Sequence, residues 1–336
     1  MRCMHIQQFD PRAIPLGKKE ALYLEVAQTP GGMPILQTAL TVAGTAPGPV
    51  LFVVGGIHGD EYEGPLAIMR LFRELEPADM RGTFVGLTVA NTPAFEAASR
   101  ETPVDGRNLN RAFPGNVRGS LTEQIAYWLG ERLISRADCC IDLHSGGSNW
   151  ELATLCGYQI GSGPVADLRR QVAEAFRAPV CMAYKEHLAS QAMGYAAERG
   201  VATVFTECTA QRRTNMQAAE IYQRGVRNAM RVLGMWGGVM EGDVSPHYLL
   251  DAGNPEHIVH ASTSGFFVPA HRFMERVEVG ELVGTILDLA GQTLEELRAP
   301  TDGFILSQQV LPAMQAGSVV FTMVQEYHAE AISPDA

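Results

Sequence analysis

The chain has 336 residues, 46% of them hydrophobic, and a formal net charge of −11. An acidic chain of this kind is poorly suited to nucleic acid or to an anionic membrane surface, and no apolar stretch reaches the roughly 18 residues of a membrane span. The six cysteines, at 3, 139, 140, 156, 181 and 208, form no CxxC pair, which argues against a cysteine-built zinc centre. They fit reduced, buried thiols of a cytoplasmic protein, and the N-terminal segment lacks the apolar centre of a secretory signal.

From about residue 20 to 240, apolar strand-like runs alternate with segments of helical spacing. The run around 51–56 predicts a strand and 63–75 a helix, with Pro65 where a first turn tolerates it. A strand follows over 82–91 and a helix over 121–135, with Thr122 as its cap. Next come a strand over 137–147, a helix over 163–177, a strand over 201–208 and a long helix over 216–236. This order predicts an α/β fold: a mixed, largely parallel central sheet with helices on both faces, spanning a catalytic domain of residues 1–243. Ligands of such sheets sit at the carboxyl ends of strands, where His58, His144 and Glu207 all fall.

Residues 244–336 read differently, as short strands and turns without a long helix. The segments 261–269 ("ASTSGFFVP") and 299–307 ("APTDGFILS") resemble each other, and each is followed by an apolar stretch and a glycine, Gly280 and Gly317. Two such units predict a small all-β domain of the barrel-sandwich type. No lysine follows Lys185, so the modified lysine of lipoyl-type domains is absent and a structural or gating role is expected.

The decapeptide "GGIHGDEYEG" (55–64) has two readings: a hydrated turn, or part of a metal site. His58 and Glu61, at i and i+3, can aim an imidazole and a carboxylate at one point. Catalytic zinc commonly takes two His and one Glu and keeps a fourth position open. His144 ends another apolar strand and supplies the third ligand, and Glu207 ends a third strand and supplies a general base. Asp60 and Glu63, which flank the ligands, are expected to hydrogen-bond or face solvent. His187 and Lys185 lie before a helix-like stretch and read as pocket-lining or as surface loop.

The strings "GGIHGDEYEGP", "DGRNLNRAFPG" (105–115) and "DLHSGG" (142–147), followed by the Glu of "TEC", occur in this order. Together they resemble the succinylglutamate desuccinylase/aspartoacylase family, a branch of the zinc carboxypeptidase-like enzymes, over roughly residues 48–240. Among its members the look is nearest to bacterial N-acetyl-diaminobutyrate deacetylases. The resemblance implies one Zn2+ per chain held by His58, Glu61 and His144, with Glu207 as the base that activates water. It implies that Asn110 and Arg111 hold a substrate carboxylate and that Arg100 polarises the scissile carbonyl, with Arg107 a second candidate. It also implies a homo-oligomer. One departure stands out: Asn108 replaces the Asp that orients a zinc-bound His, a part that Asp105 or Asp142 could take.

The expected activity is hydrolysis of the amide bond of a small N-acyl amino acid, a substrate that bears a carboxylate. The alternatives are a zinc carboxypeptidase acting on peptides and a non-catalytic zinc-fold sensor, whose mark would be loss of Glu207.

Overall fold

The computed structural model describes residues 1–185, 189–251 and 255–327, so His187 lies outside the described residues. The central strand is Ala46–Gly55, and its residues Val50 to Val54 are all buried. Their side chains alternate between two cores, as a strand covered on both faces requires. Leu51 and Val53 join the core under helices Glu63–Glu74, Pro164–Phe176 and Met216–Val232. Val50, Phe52 and Val54 join the core under helix Leu121–Arg132.

Ala46–Gly55 pairs in parallel with Arg81–Leu87 on one side and with Cys139–Leu143 on the other, and Cys139–Leu143 pairs in parallel with Ala202–Glu207. Gly55 stands opposite Leu143, and Leu143 opposite Thr206. Three carboxyl ends therefore lie level, and the loops that leave them start from one place. The remainder of the sheet is mixed. Ala202–Glu207 runs antiparallel to Leu155–Gln159, which is followed in parallel by Val180–Tyr184 and His247–Asp251. At the far side, the antiparallel hairpin Lys19–Gln28/Pro34–Ala43 joins the sheet through Arg81–Leu87. Among the described residues no helix is long and apolar enough to cross a membrane.

The C-terminal part of the chain packs two small sheets against each other around Phe267, Ile286, Ile305 and Phe321, with the two Phe rings 5.4 Å apart edge to face. The repeat is visible in the pairing. Gly265–Pro269, from the first unit, pairs with Ala313–Met314 of the second, while Gly303–Gln309, from the second, pairs with Arg276–Val277 of the first. Each unit thus completes the other's sheet. Among the described residues, two strand pairings reach the α/β part. The strand His247–Asp251 pairs with both Val180–Tyr184 and Val319–Glu326. The strand Trp150–Leu152, in the loop after His144, pairs with Gly303–Gln309.

Candidate active site

The turn after Ala46–Gly55 is held by close backbone packing. A Cβ on Gly59 would come within 2.0 Å of the Ala94 backbone, so only glycine lets this loop meet the next one, where Gly59 N–H donates to Ser99 O at 2.9 Å. The two acids beside the ligands act as joints between loops. Asp60 Oδ2 accepts from Ser148 N at 3.0 Å, and Glu63 Oε1 accepts from Asn215 N at 2.7 Å. Tyr222, buried in helix Met216–Val232, donates its hydroxyl to His144 O at 2.7 Å and fixes the end of that strand.

His58, Glu61 and His144 are all buried, and one ligand-type atom from each lies within 4.8 Å of the others. Nδ1 of His58 is 2.7 Å from Glu61 Oε1, and Nδ1 of His144 is 2.9 Å from Glu61 Oε2. The outward nitrogens have their own partners: His58 Nε2 is 3.1 Å from Asn108 Oδ1, and His144 Nε2 is 3.0 Å from Asp142 Oδ2. An imidazole that donates outward to an oxygen turns a lone pair inward. Each inward contact is then lone pair against lone pair unless a proton or a cation lies between. This donor set, with acceptors behind the rings, fits a zinc-type ion.

Asn108 and Asp142 thus divide the orienting part between the two rings. Asp105 does something else. It accepts from Thr122 N at 2.9 Å and Thr122 Oγ1 at 2.7 Å. Thr122 lies within the first turn of Leu121–Arg132 rather than capping it; Ser120 precedes the helix and its N–H donates to Glu123 Oε2 at 2.8 Å.

Burial and neighbouring charge oppose each other in the cluster. Burial would raise Glu61, yet His58 and His144 hold its carboxyl far below the usual range. Burial would lower His144, yet Asp142 and Glu61 raise it well above its usual value; at His58 burial prevails and the ring is lowered. Glu207 stands in the same cavity, and its Oε2 is shut off from solvent with no hydrogen-bond partner. Burial, and after it the charge of Glu61, push this carboxyl up to about 8.

A cavity of about 630 Å³ opens over the cluster, and Arg100, Asn110 and Arg111 line it with His58, His144 and Glu207. Arg100 lies in the turn after the short helix Thr92–Glu96, not on a helix, and its Nη1 is 3.2 Å from Glu61 Oε1. Asn110 Oδ1 accepts from Ala192 N at 2.9 Å, which leaves its Nδ2 for the site, 3.4 Å from His144 Nε2. Burial and the neighbouring Arg100 lower Arg111, the mark of two cations sharing one mouth.

Arg107 does not join them. It pairs with Glu123 at 2.9 Å and is absent from the cavity lining, because the Asp105–Thr122 contact anchors its loop on helix Leu121–Arg132. Sequence reasoning missed the apolar lining, Met182, Phe205 and Ile258, and the backing by Tyr222. Nothing in their local pattern distinguishes them from ordinary core residues.

Ligand-type side chains at level ends of parallel strands, in a mixed sheet covered on both faces, define the class: an α/β fold with a candidate metal site at the carboxyl ends of its strands. Within that class the chain belongs to the succinylglutamate desuccinylase/aspartoacylase family of amide hydrolases, since residues 47–233 match the model of the succinylglutamate desuccinylase/aspartoacylase catalytic domain. It is 29% identical over 290 residues to the N-alpha-acetyl-L-2,4-diaminobutyric acid deacetylase of Halomonas elongata, covering 85% of each chain. The product-bound structure of the ectoine utilization protein EutE (DoeB) from Ruegeria pomeroyi superposes with a TM-score of 0.86 at 27% identity, over 95% of this chain and 100% of that one. A succinylglutamate desuccinylase/aspartoacylase structure from Rhodobacter sphaeroides gives the same TM-score and identity over 94% and 98%.

Proposed function

We propose that the protein hydrolyses the amide bond of a small N-acyl amino acid, with a zinc-type divalent cation held by His58, Glu61 and His144. The observation that carries this reading is the convergence of three ligand-type side chains within 4.8 Å, beside a buried Glu207 oxygen without a partner. When bound, such a cation polarises an acyl oxygen and acidifies water.

The chain's own groups supply the rest. Glu207 takes the proton of the attacking water and returns it to the leaving nitrogen, a task suited to a carboxyl that lines the cavity with one oxygen shut off from solvent and without another partner. Arg100 places positive charge where the oxyanion develops. Arg111 and the Nδ2 of Asn110 grip the substrate carboxylate by charge-assisted hydrogen bonds. Asn108 and Asp142 hold the two imidazoles by their outward nitrogens. The six free cysteines, five of them buried, accord with work in the reducing cytoplasm.

The test is metal analysis together with an activity screen over acetyl, succinyl and formyl amino acids, the Nα-acetyl diaminobutyrate named for the Halomonas relative included. One divalent ion per chain and chelator-sensitive release of free amino acid are expected. Faster cleavage of longer peptides than of any acyl amino acid would turn the reading to a carboxypeptidase. A metal-loaded protein that turns over nothing in the panel would turn it to a sensor.

A further inference from the structure

We propose that Arg212 is a positioning residue for the reaction: it holds the segment that carries Arg100, and so keeps the Arg100 guanidinium over the ligand cluster. This rests on the reading of the reaction given above and goes beyond it in naming what fixes the arginine that meets the oxyanion.

Arg100 stands on a stretch of irregular chain between the short helix Thr92–Glu96 and Thr102, and from there its Nη1 comes within 3.2 Å of Glu61 Oε1. Such a stretch aims a side chain only as well as the chain around it is held. After Arg100, Thr102 is buried and its Oγ1 accepts from Asn91 Nδ2 at 3.0 Å. Just before Arg100, Ser99 O accepts from Gly59 N at 2.9 Å. At the outer end the hold comes from far along the chain: Arg212 donates through Nη2 to Ala98 O, two residues before Arg100.

Both sides of this contact carry unusual backbone. Ala98 has φ +48, Gln211 φ +52 and Arg212 φ +56. Residues with a Cβ avoid this region and keep to it only where their surroundings over-determine it. Among the described residues five non-glycine positions have positive φ, and three of them meet at this one hydrogen bond, so the strain is concentrated there rather than spread over the loops. The main chain around Arg212 is fixed as well. Its N–H donates to Gly147 O at 3.1 Å, in the loop after His144, and Asn215 N donates to Glu63 Oε1 at 2.7 Å. The loop that leaves Glu207 thus ties together the loop after His144, the start of helix Glu63–Glu74 and the Arg100 segment. Arg212 itself is exposed and does not line the cavity, so its route to the chemistry runs through Arg100.

A donor to a developing oxyanion contributes most when it is aimed before the reaction begins. Without Arg212, the outer end of the segment relaxes to ordinary backbone and draws Arg100 off its aim.

The test is a double-mutant cycle on the metal-loaded protein with its best acyl amino acid: wild type, Arg212→Ala, Arg100→Ala and both together. Arg212→Ala is expected to lower kcat by about 10- to 100-fold with KM held within about twofold, and Arg212→Lys, which keeps a donor, to restore most of the rate. In the Arg100→Ala background the same Arg212→Ala change should cost less than about twofold, because residues that act through one another are not additive. Hydrogen exchange read by mass spectrometry should be faster over residues 97–102 in Arg212→Ala, with the melting temperature unchanged. An equal fractional loss of rate with and without Arg100, or unchanged exchange in that segment, overturns the inference. Exchange needs no turnover: faster exchange in a protein that cleaves no acyl amino acid would defeat the proposed reaction and leave the hold of Arg212 on the Arg100 segment standing.

Discussion

The strand-end loops of the α/β part and the two small sheets of the C-terminal part are held in different ways. Around the ligand cluster, polar groups from distant parts of the chain partner one another: Asp60 with Ser148, Glu63 with Asn215, Asn108 with His58. In the C-terminal sheets the hold is packing, Phe267 on Phe321 among Ile286 and Ile305, and polar contacts such as Glu295 to the Ser262 N–H are exposed. The first region keeps buried charge at the cost of strict geometry, since each buried polar atom needs its partner. The second relies less on such pairs, with Gln308 to Glu151 as a part-buried exception, and a core held by packing is expected to accept substitutions that keep volume and pattern.

Substitutions can break or sharpen this contrast. The largest effect is expected from Glu207→Gln: kcat should fall by about 10²- to 10⁴-fold, with fold and metal content kept, as measured by steady-state kinetics and metal analysis. A near-normal rate would remove Glu207 from the chemistry. Next comes Phe321→Ala, which empties the middle of the C-terminal core. Urea unfolding should show a loss of about 3–5 kcal/mol, with metal affinity unaltered. If metal is lost as well, the two regions do not respond separately and the contrast fails.

Asp142→Asn leaves His144 an amide in place of a carboxylate, at near-constant shape. Metal affinity should drop by about 10- to 100-fold, read by competition with a chelator, while thermal stability of the C-terminal sheets stays the same.

The smallest effect lies at the junction. Glu241 accepts from Arg227, and Arg231 is 2.7 Å away; these contacts, led by the Arg227 hydrogen bond, hold its carboxyl below the usual carboxylate value. The folded state therefore gives up its proton more readily than the unfolded chain. The stabilisation is complete above the unfolded pKa, near 4.3, and is lost as pH falls through the lower folded value. The pair is partly exposed, so the contribution is under about 1 kcal/mol. In acid titrations followed by circular dichroism, Glu241→Gln should flatten that part of the profile, and an unchanged profile would discount the contact.

Much of the fold was legible in the residues because strand and helix periodicities survive in the long elements. The helix expected over 63–75 is Glu63–Glu74, and the one expected over 163–177 is Pro164–Phe176. The helix expected over 216–236 stops at Val232, because Gly234 turns with φ +65 and Trp236 bridges to Met80 instead. The hairpin Lys19–Gln28/Pro34–Ala43 and the antiparallel setting of Ala202–Glu207 were not legible, since strand direction depends on which neighbour a strand finds and not on its own pattern. At the site, the candidate ligands were legible from their place after apolar runs. Arg107 was misleading: an arginine in a motif-rich loop carries no local sign of whether it faces the cavity or, as here, Glu123.

The amino-acid order alone determined that His58, His144 and Glu207 each close an apolar strand, because that is a property of short contiguous stretches. Only the folded chain decided that the three ends lie level, that Asn108 backs one imidazole and Asp142 the other, and that Arg100, Asn110 and Arg111 line the same cavity as Glu207. These relations depend on strand register and direction across residues far apart in the chain, and no local pattern encodes a distance of that kind.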